Sequence, residues 1–266
     1  MASTTQTDDR PSDSDIIAYE KTLKAEFLAA PLVGPATDFE ALIAEYADGA
    51  NEAFKRKTAQ LRQTGAAMRS VRKDGNCFYR GMCFALCEAL INYQGSEWAT
   101  KVRERILATR KTLADAGYDS SISEDFFEPL GEAIEPSYTI EKLTDVFKGE
   151  YASDTIVCYL RLVTAAELKL NRDMYEAFIL DSYPTIEAFI QNQVEPMGIE
   201  SDQIHIVAIA NALGVTINVA NLDASDADLN FHDISPMIPL ELENSSSQPV
   251  LNLLYRPGHY DIVYLK

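Results

Sequence analysis

Asp74-Gly75-Asn76-Cys77-Phe78-Tyr79-Arg80-Gly81-Met82-Cys83-Phe84-Ala85-Leu86 reads as a polar turn that runs straight into a helix. Phe78, Met82, Phe84, Ala85, Leu86, Ala89 and Leu90 make that helix apolar nearly all round, the pattern of a helix at the centre of a core. Cys77 stands at the junction, so its sulfur is expected at or near a helix N-terminus. The partial positive charge there favours thiolate over thiol and predicts a pKa below the unperturbed value of about 8.5. The free N–H groups of the same turn are suited to an oxyanion, and Gly75 allows the close backbone approach that an oxyanion hole needs. The alternative is a small buried hydrophobe, the commoner state of an intracellular cysteine. The polar Asp-Gly-Asn immediately upstream argues against it.

Far downstream, Arg256-Pro257-Gly258-His259-Tyr260-Asp261 supplies an imidazole and a carboxylate. Pro257-Gly258 is a strong turn signal, so His259 is expected to open the last strand with its ring at the strand end. Residues i and i+2 of a strand share a face, which lets Asp261 hold one imidazole nitrogen while the other points toward a thiol. An isolated His-x-Asp is more often a surface pair, and it is the joint presence with Cys77 that favours a catalytic reading. The chain has two other histidines. His232, between Asn230 and Asp233, reads as a surface loop residue, and His205, between Ile204 and Ile206, as a satisfied core or boundary residue. Cys83 and Cys87 are four apart on the central helix with no third or fourth ligand evident, so core packing is expected there, and no metal or cofactor.

Working outward, helical patterns occupy most of the first two thirds. Residues 38–63 carry Phe39, Leu42, Ile43 and Tyr46 on one face, with Phe54 and Leu61 after an Asp48-Gly49 break. Further helices are expected at 97–115, 140–149, 154–170, 173–181 and 184–193, and from His205 to Leu213, ended by Gly214. Strand patterns are confined to Val215–Val219, Val250–Tyr255 and Tyr260–Leu265. One α+β domain follows, a helical part packed on a small, mostly antiparallel sheet. Basic residues cluster between Lys55 and Lys73 and are expected to form a solvated helix face. Residues 1–14 are polar and read as a disordered leader. The stretch 15–37 reads as an arm with an amphipathic helix, in which Ile16, Ile17, Tyr19, Leu23, Phe27 and Leu28 form the stripe and Ser14 is a candidate N-cap.

Of 266 residues, 47% are apolar, enough for a substantial core. The 41 acidic against 23 basic side chains give a net charge of −18. That charge opposes non-specific binding to nucleic acid or anionic membrane and suits a basic partner. No apolar run approaches the roughly eighteen residues of a membrane span, and no apolar leader opens the chain. The four cysteines have no CxxC or secreted-framework spacing, so reduced thiols are expected. The protein is expected in the cytoplasm, with the nucleus left open as a second compartment.

Asp74-Gly75-Asn76-Cys77-Phe78-Tyr79-Arg80, Val194-Glu195-Pro196-Met197, Ser201-Asp202-Gln203-Ile204-His205-Ile206 and Leu254-Tyr255-Arg256-Pro257-Gly258-His259-Tyr260-Asp261 together resemble the otubain branch of the OTU cysteine proteases. Tyr159-Leu160-Arg161-Leu162-Val163-Thr164 fits as well, so the resemblance covers roughly residues 38–266. It implies a papain-like (OTU) fold over a 38–266 catalytic domain and a deubiquitinase that cleaves the isopeptide bond between ubiquitin and a lysine. Carried over, Cys77 would be the nucleophile, His259 the general base and later acid, and Asp261 the residue that orients His259. Asp74 would help form the oxyanion hole with the backbone of Gly75, Asn76 and Cys77. The implied substrate is polyubiquitin of the chain type that marks proteins for proteasomal degradation, and its basic, Gly-Gly-ended tail calls for an acidic, narrow cleft. The resemblance further implies that the N-terminal helix, here Ile16, Tyr19, Leu23 and Phe27, contacts a proximal ubiquitin or a ubiquitin-conjugating enzyme. A non-catalytic regulator acting through that helix is the alternative function.

Overall fold

The computed structural model describes residues 29–47, 51–242 and 248–266, together with Ser12, Ser14, Tyr19 and Thr22. Most of the expected leader and of the amphipathic stripe therefore lies outside the described residues, as does the Asp48-Gly49 break. The described helices of four or more residues are α1 (Glu40–Glu45), α2 (Glu52–Thr64), α3 (Cys77–Asn92), α4 (Glu97–Asp115), α5 (Ser120–Ala133), α6 (Ile140–Val146), α7 (Glu150–Leu170), α8 (Glu176–Ile179), α9 (Ile186–Phe189) and α10 (Gln203–Leu213). α9 runs on into a π-helical turn, Ile190–Val194. Five strands, β1 (Gly65–Arg69), β2 (Thr216–Asn221), β3 (Asn230–Ile234), β4 (Val250–Arg256) and β5 (His259–Leu265), form one sheet in the order β1-β5-β4-β2-β3. Only the β2–β4 pairing is parallel, which agrees with the α+β, mostly antiparallel expectation. No helix among the described residues is long and apolar enough to cross a membrane.

The sheet is covered on both faces, which is why β4 and β5 read as nearly continuous apolar runs. Leu253 and Ile262 pack in the main core with α3, whereas Leu254 and Val263 point the other way onto Phe39, Leu42 and Leu61 of the α1–α2 region. α3 lies between the sheet and α7, and its residues Phe78, Met82, Phe84 and Leu86 are all buried, as its apolar circumference predicts. Chain ahead of α1 also joins the body: Leu32 and Val33 are buried, and Val33 and Thr37 pair with Val71 and Met68. Packing therefore begins before the expected boundary at residue 38.

Three expectations are corrected here. β1, β3 and α5 carry no clear sequence signal. The basic stretch Lys55–Lys73 is only partly a solvated face, because four of its cations bond to groups of the fold, Arg69 to Tyr264, Gly34 O and Glu88 among them. Lys57 is buried and bonds to Asp223 and Ser225, Arg56 donates to the carbonyls of Asp226 and Ala227, and Arg72 to Ala30 O and Glu150. His232 lies on the edge strand β3 and not in a loop.

Candidate active site

Cys77 is the first residue of α3, as expected, with Asn76 as the cap. The turn before it depends on Gly75, whose φ of 74° belongs to the left-handed region. A Cβ there would lie 2.1 Å from Gly198 O, so the turn and the 194–199 segment touch backbone to backbone. Asn76 does not cap α3 with its side chain. Its Oδ1 accepts from Gly198 N–H (2.8 Å) and from Arg161 (3.1 Å) instead, which pins the two segments together.

At the far end of the sheet, the two-residue Pro257-Gly258 turn sets Arg256 opposite His259 and opens β5 with the imidazole. His259 Nε2 donates to Asp261 Oδ1 at 2.9 Å, the same-face contact expected of residues i and i+2. Asp261 is fully buried and also accepts from Val71 N–H (2.9 Å) and Arg256 Nη2 (2.8 Å). Burial alone would raise its pKa, but the bond from His259 and the charges of His259 and Arg256 outweigh that and hold it below the ordinary carboxylate range. Arg256 passes its other nitrogen to Glu45 at 2.7 Å.

β5 also brings the peptide of Tyr260 onto the sulfur, with Tyr260 N–H donating to Cys77 Sγ at 3.4 Å. No hydrogen bond joins Cys77 to His259 among the described residues, and His259 Nδ1 is buried without a partner. Because Asp261 occupies Nε2, Nδ1 is the nitrogen left for the thiol.

The expected depression of the Cys77 pKa is reversed. Cys77 is only 3% exposed. Burial pushes the thiol up to about 11, with Asp74 and Asp261 adding to the rise and N–H groups of Tyr260 and Phe78 opposing it. Position at a helix N-terminus is real, but loss of water outweighs it. In this conformation the sulfur is a thiol.

The oxyanion expectation is also redistributed. Asp74 is paired with Arg80, whose Nη1 contacts both carboxylate oxygens (2.8 and 2.7 Å), and it accepts from Asn76 N–H at 3.0 Å. Asp74 N–H goes to Arg72 O. Of the four residues expected to line the hole, Gly75 and Cys77 keep their N–H groups free among the described residues, while Asp74 and Asn76 shape the turn. Arg80 is itself fully buried and reaches Ser153 and Asp154 beyond.

A cleft of about 430 Å³ opens on Cys77, and Glu200, Ser201, Asp202, Asn221, His232 and Tyr260 are among the residues that line it. Asp202 is held below its usual pKa, its bonds and charge contacts with His205 outweighing burial, so the cleft is lined with negative charge. Asp202 caps α10, while His205 is buried as expected and donates from Nε2 to Gln193 O at 3.1 Å. A second groove, of about 640 Å³, is lined by Asn76, Phe126, Tyr151, Asp154, Cys158 and Met197. Cys83 and Cys87 are buried in the core, and all four cysteines are free. Tyr19 is helical and 66% exposed, while Ile16, Leu23 and Phe27 lie outside the described residues.

Arg80, Arg161, Arg256, Tyr260 and Glu45 were not singled out by residue-level reasoning. The three arginines had a signal: each is a cation inside an otherwise apolar or tightly turned stretch. Glu45 had none, because its partner lies 211 residues away.

The peptidase C65 otubain family model matches residues 25–265. An ovarian tumor domain-containing deubiquitinating enzyme 1 of Arabidopsis thaliana is 36% identical over 250 residues, which is 89% of this chain and 81% of that protein. Human ubiquitin thioesterase OTUB1 is 34% identical over 256 residues, 95% of this chain and 90% of that one. A solved complex of ceOTUB1 with ubiquitin aldehyde and UBC13~Ub superposes with a TM-score of 0.79 at 28% identity, covering 93% of this chain and 98% of the other. With family sequence and family fold running through nearly its whole length, the chain belongs to the otubain family of peptidases, C65.

Proposed function

We propose that this otubain-family deubiquitinase hydrolyses isopeptide bonds in polyubiquitin through Cys77, His259 and Asp261, by way of a ubiquitin thioester. The observation that carries the reading is the half-built relay: Asp261 fixes Nε2 of His259, Nδ1 is left unpartnered, and the next residue of the same strand touches the Cys77 sulfur. A small rotation of the imidazole toward Sγ completes it, and substrate binding is the event that supplies it. His259 then takes the thiol proton as sulfur attacks the carbonyl of the ubiquitin C-terminal glycine. The oxyanion forms against the N–H groups of Gly75 and Cys77. The imidazolium returns its proton to the leaving lysine amine, and water cleaves the thioester with His259 as base.

The acidic wall formed by Glu200 and Asp202 supports a basic, glycine-ended tail in the cleft. The related proteins named ubiquitin thioesterase and the related complex with ubiquitin aldehyde support the same acyl group. The degradation-signalling linkage follows from the family resemblance, and turnover of a panel of differently linked di-ubiquitins decides it. A free thiol of this kind suits the reducing cytoplasm.

The decisive experiment is labelling with ubiquitin carrying a C-terminal electrophile. One adduct at Cys77 is expected, abolished in Cys77→Ala and reduced at least about 100-fold in rate in His259→Ala. Labelling that persists in Cys77→Ala rejects the mechanism. A second reading, a regulator that holds a ubiquitin-charged conjugating enzyme through Ile16, Tyr19, Leu23 and Phe27, is favoured by the UBC13~Ub present in the related complex. It predicts binding that survives Cys77→Ala and is lost when residues 1–28 are removed, which spares the chain from Ala30 onward that packs on the body.

A further inference from the structure

Tyr159-Leu160-Arg161-Leu162-Val163-Thr164 stands out in the sequence, yet none of its residues enters the reaction above. Arg161 lies on α7 and is wholly buried. The other buried arginines beside the site have carboxylates: Arg80 pairs with Asp74 and Asp154, Arg256 with Asp261 and Glu45. Arg161 pairs with none among the described residues. Its guanidinium donates to Gly75 O (3.0 Å), Asn76 Oδ1 (3.1 Å), Ile199 O (2.6 Å) and Val194 O (3.0 Å), and it lies 4.9 Å from the centre of the Tyr79 ring. Taking a charge out of water without a counter-ion is costly, and carbonyl dipoles and a ring face return only part of that cost. A core needing only volume at this position would be served by a methionine.

We propose that Arg161 is a positioning residue for the nucleophile turn and the source of the positive field in which the Cys77 thiolate and the oxyanion form. All four of its acceptors lie in the two segments that meet beside Cys77, the 75–76 turn and the 194–199 segment. A planar fork with several fixed donors holds both at once, which the single ammonium of lysine does not. Its charge is also uncancelled. Asp74 and Asp261, the carboxylates that disfavour a thiolate, are each paired with their own arginine, which leaves Arg161 as the cation at this turn that no carboxylate pairs. Burial lowers the Arg161 pKa, and the nearby Tyr79, Cys158, Asp74 and Cys77 pull it back up. Polarising the Gly75 carbonyl also strengthens the hydrogen bonding of that peptide.

The inference rests on the hydrolase reading, and its test has one arm that needs no ubiquitin. In the full chain, R161K and R161Q are compared with the unaltered protein in two measurements. One is the pH midpoint of iodoacetamide alkylation, followed at the Cys77 peptide by mass spectrometry. The other is kcat and KM on ubiquitin bearing a C-terminal fluorogenic amide. R161Q is expected to raise the alkylation midpoint by about one pH unit. It should cut kcat about 100-fold with KM within about twofold. R161K is expected to keep the midpoint, with the charge, and lose about tenfold in kcat, with the fork.

A wild-type midpoint in folded R161Q, or a wild-type kcat in either variant, overturns the proposal, as does a change carried by KM alone. If R161Q does not fold, R161K decides by its split between kcat and KM. If neither folds, the role is structural and the proposal falls. Should the unaltered chain fail to turn over the ubiquitin amide, the hydrolase reading fails, while the alkylation arm still decides for or against Arg161.

Discussion

Asp261 ends in three donors, of which Arg256 carries a permanent charge, and Arg256 in turn leans on Glu45 at the protein surface. The two ends of this chain of charges differ in environment, and so in what their removal costs. Arg256→Met leaves a fully buried carboxylate without its cation, and breaking a buried pair from one side costs about 3–5 kcal/mol. Glu45→Gln removes a half-exposed partner screened by water, which costs less than about 1 kcal/mol and leaves kcat within about twofold. Urea denaturation of both variants checks the contrast, and equal losses would mean that the charges do not act in series as drawn. The His259–Asp261 contact was legible from a two-residue spacing. The reach to Glu45 was not, since only the folded sheet brings residue 45 to residue 256. The reversed direction at Cys77 has the same origin: a helix N-terminus can be read locally, whereas the burial that outweighs it comes only with the folded core, which brings residues as distant as Tyr260, 183 positions on, against the sulfur.

Elements whose own sequence sets their conformation were legible, and those that exist through a neighbour were not. α4 spans Glu97–Asp115, the expected 97–115, because a Ser96 cap and an apolar stripe are both local. β1, Gly-Ala-Ala-Met-Arg, has no β-branched residue and is a strand only because β5 pairs with it. β3 is a polar edge, and α5 carries Pro129 inside it, a residue that argues against a helix from sequence alone. The 74–76 turn shows how far a local signal goes. Its glycine was legible as a requirement, but the 194–199 backbone that enforces it was not. Gly75→Ala and Gly117→Ala separate the two contributions, since both residues have φ above 70° but a Cβ at Gly117 meets nothing within 4 Å. Gly117→Ala carries backbone strain alone, about 1 kcal/mol. Gly75→Ala adds a clash with Gly198 that no rotamer relieves, for a total of at least about 3 kcal/mol, with loss of turnover because the oxyanion turn moves. Thermal melting with kcat on a ubiquitin amide checks this, and equal shifts would show that the backbone contact yields freely.

A net charge of −18 makes the whole molecule repel itself near neutral pH, so mild acid should relieve strain across the surface. Superimposed on that are individual carboxylates shifted in opposite senses. Asp202 and Asp261 have folded pKa values below their ordinary ones, so their contribution is present above the ordinary value and is lost as pH falls through the folded one. Glu167 behaves in the other direction. It is buried on α7, where desolvation raises its pKa above the ordinary range despite hydrogen bonds with Tyr175 and Asn171. Between the ordinary glutamate value and the raised one, the folded chain holds a proton that the unfolded chain has lost. Stability therefore falls as pH rises through that window. Glu167→Gln keeps the shape and the bond from Tyr175 but removes the titration, so the variant should gain on the unaltered protein as pH rises from 4 to 8. Comparing urea midpoints of the two chains cancels the surface repulsion, which they share but for the one charge removed, and leaves the Glu167 contribution. The acid limb below pH 4 should be common to both, since Asp202 and Asp261 are untouched. A difference that is flat from pH 4 to 8 would mean that the Glu167–Tyr175–Asn211 network already compensates the buried charge in full.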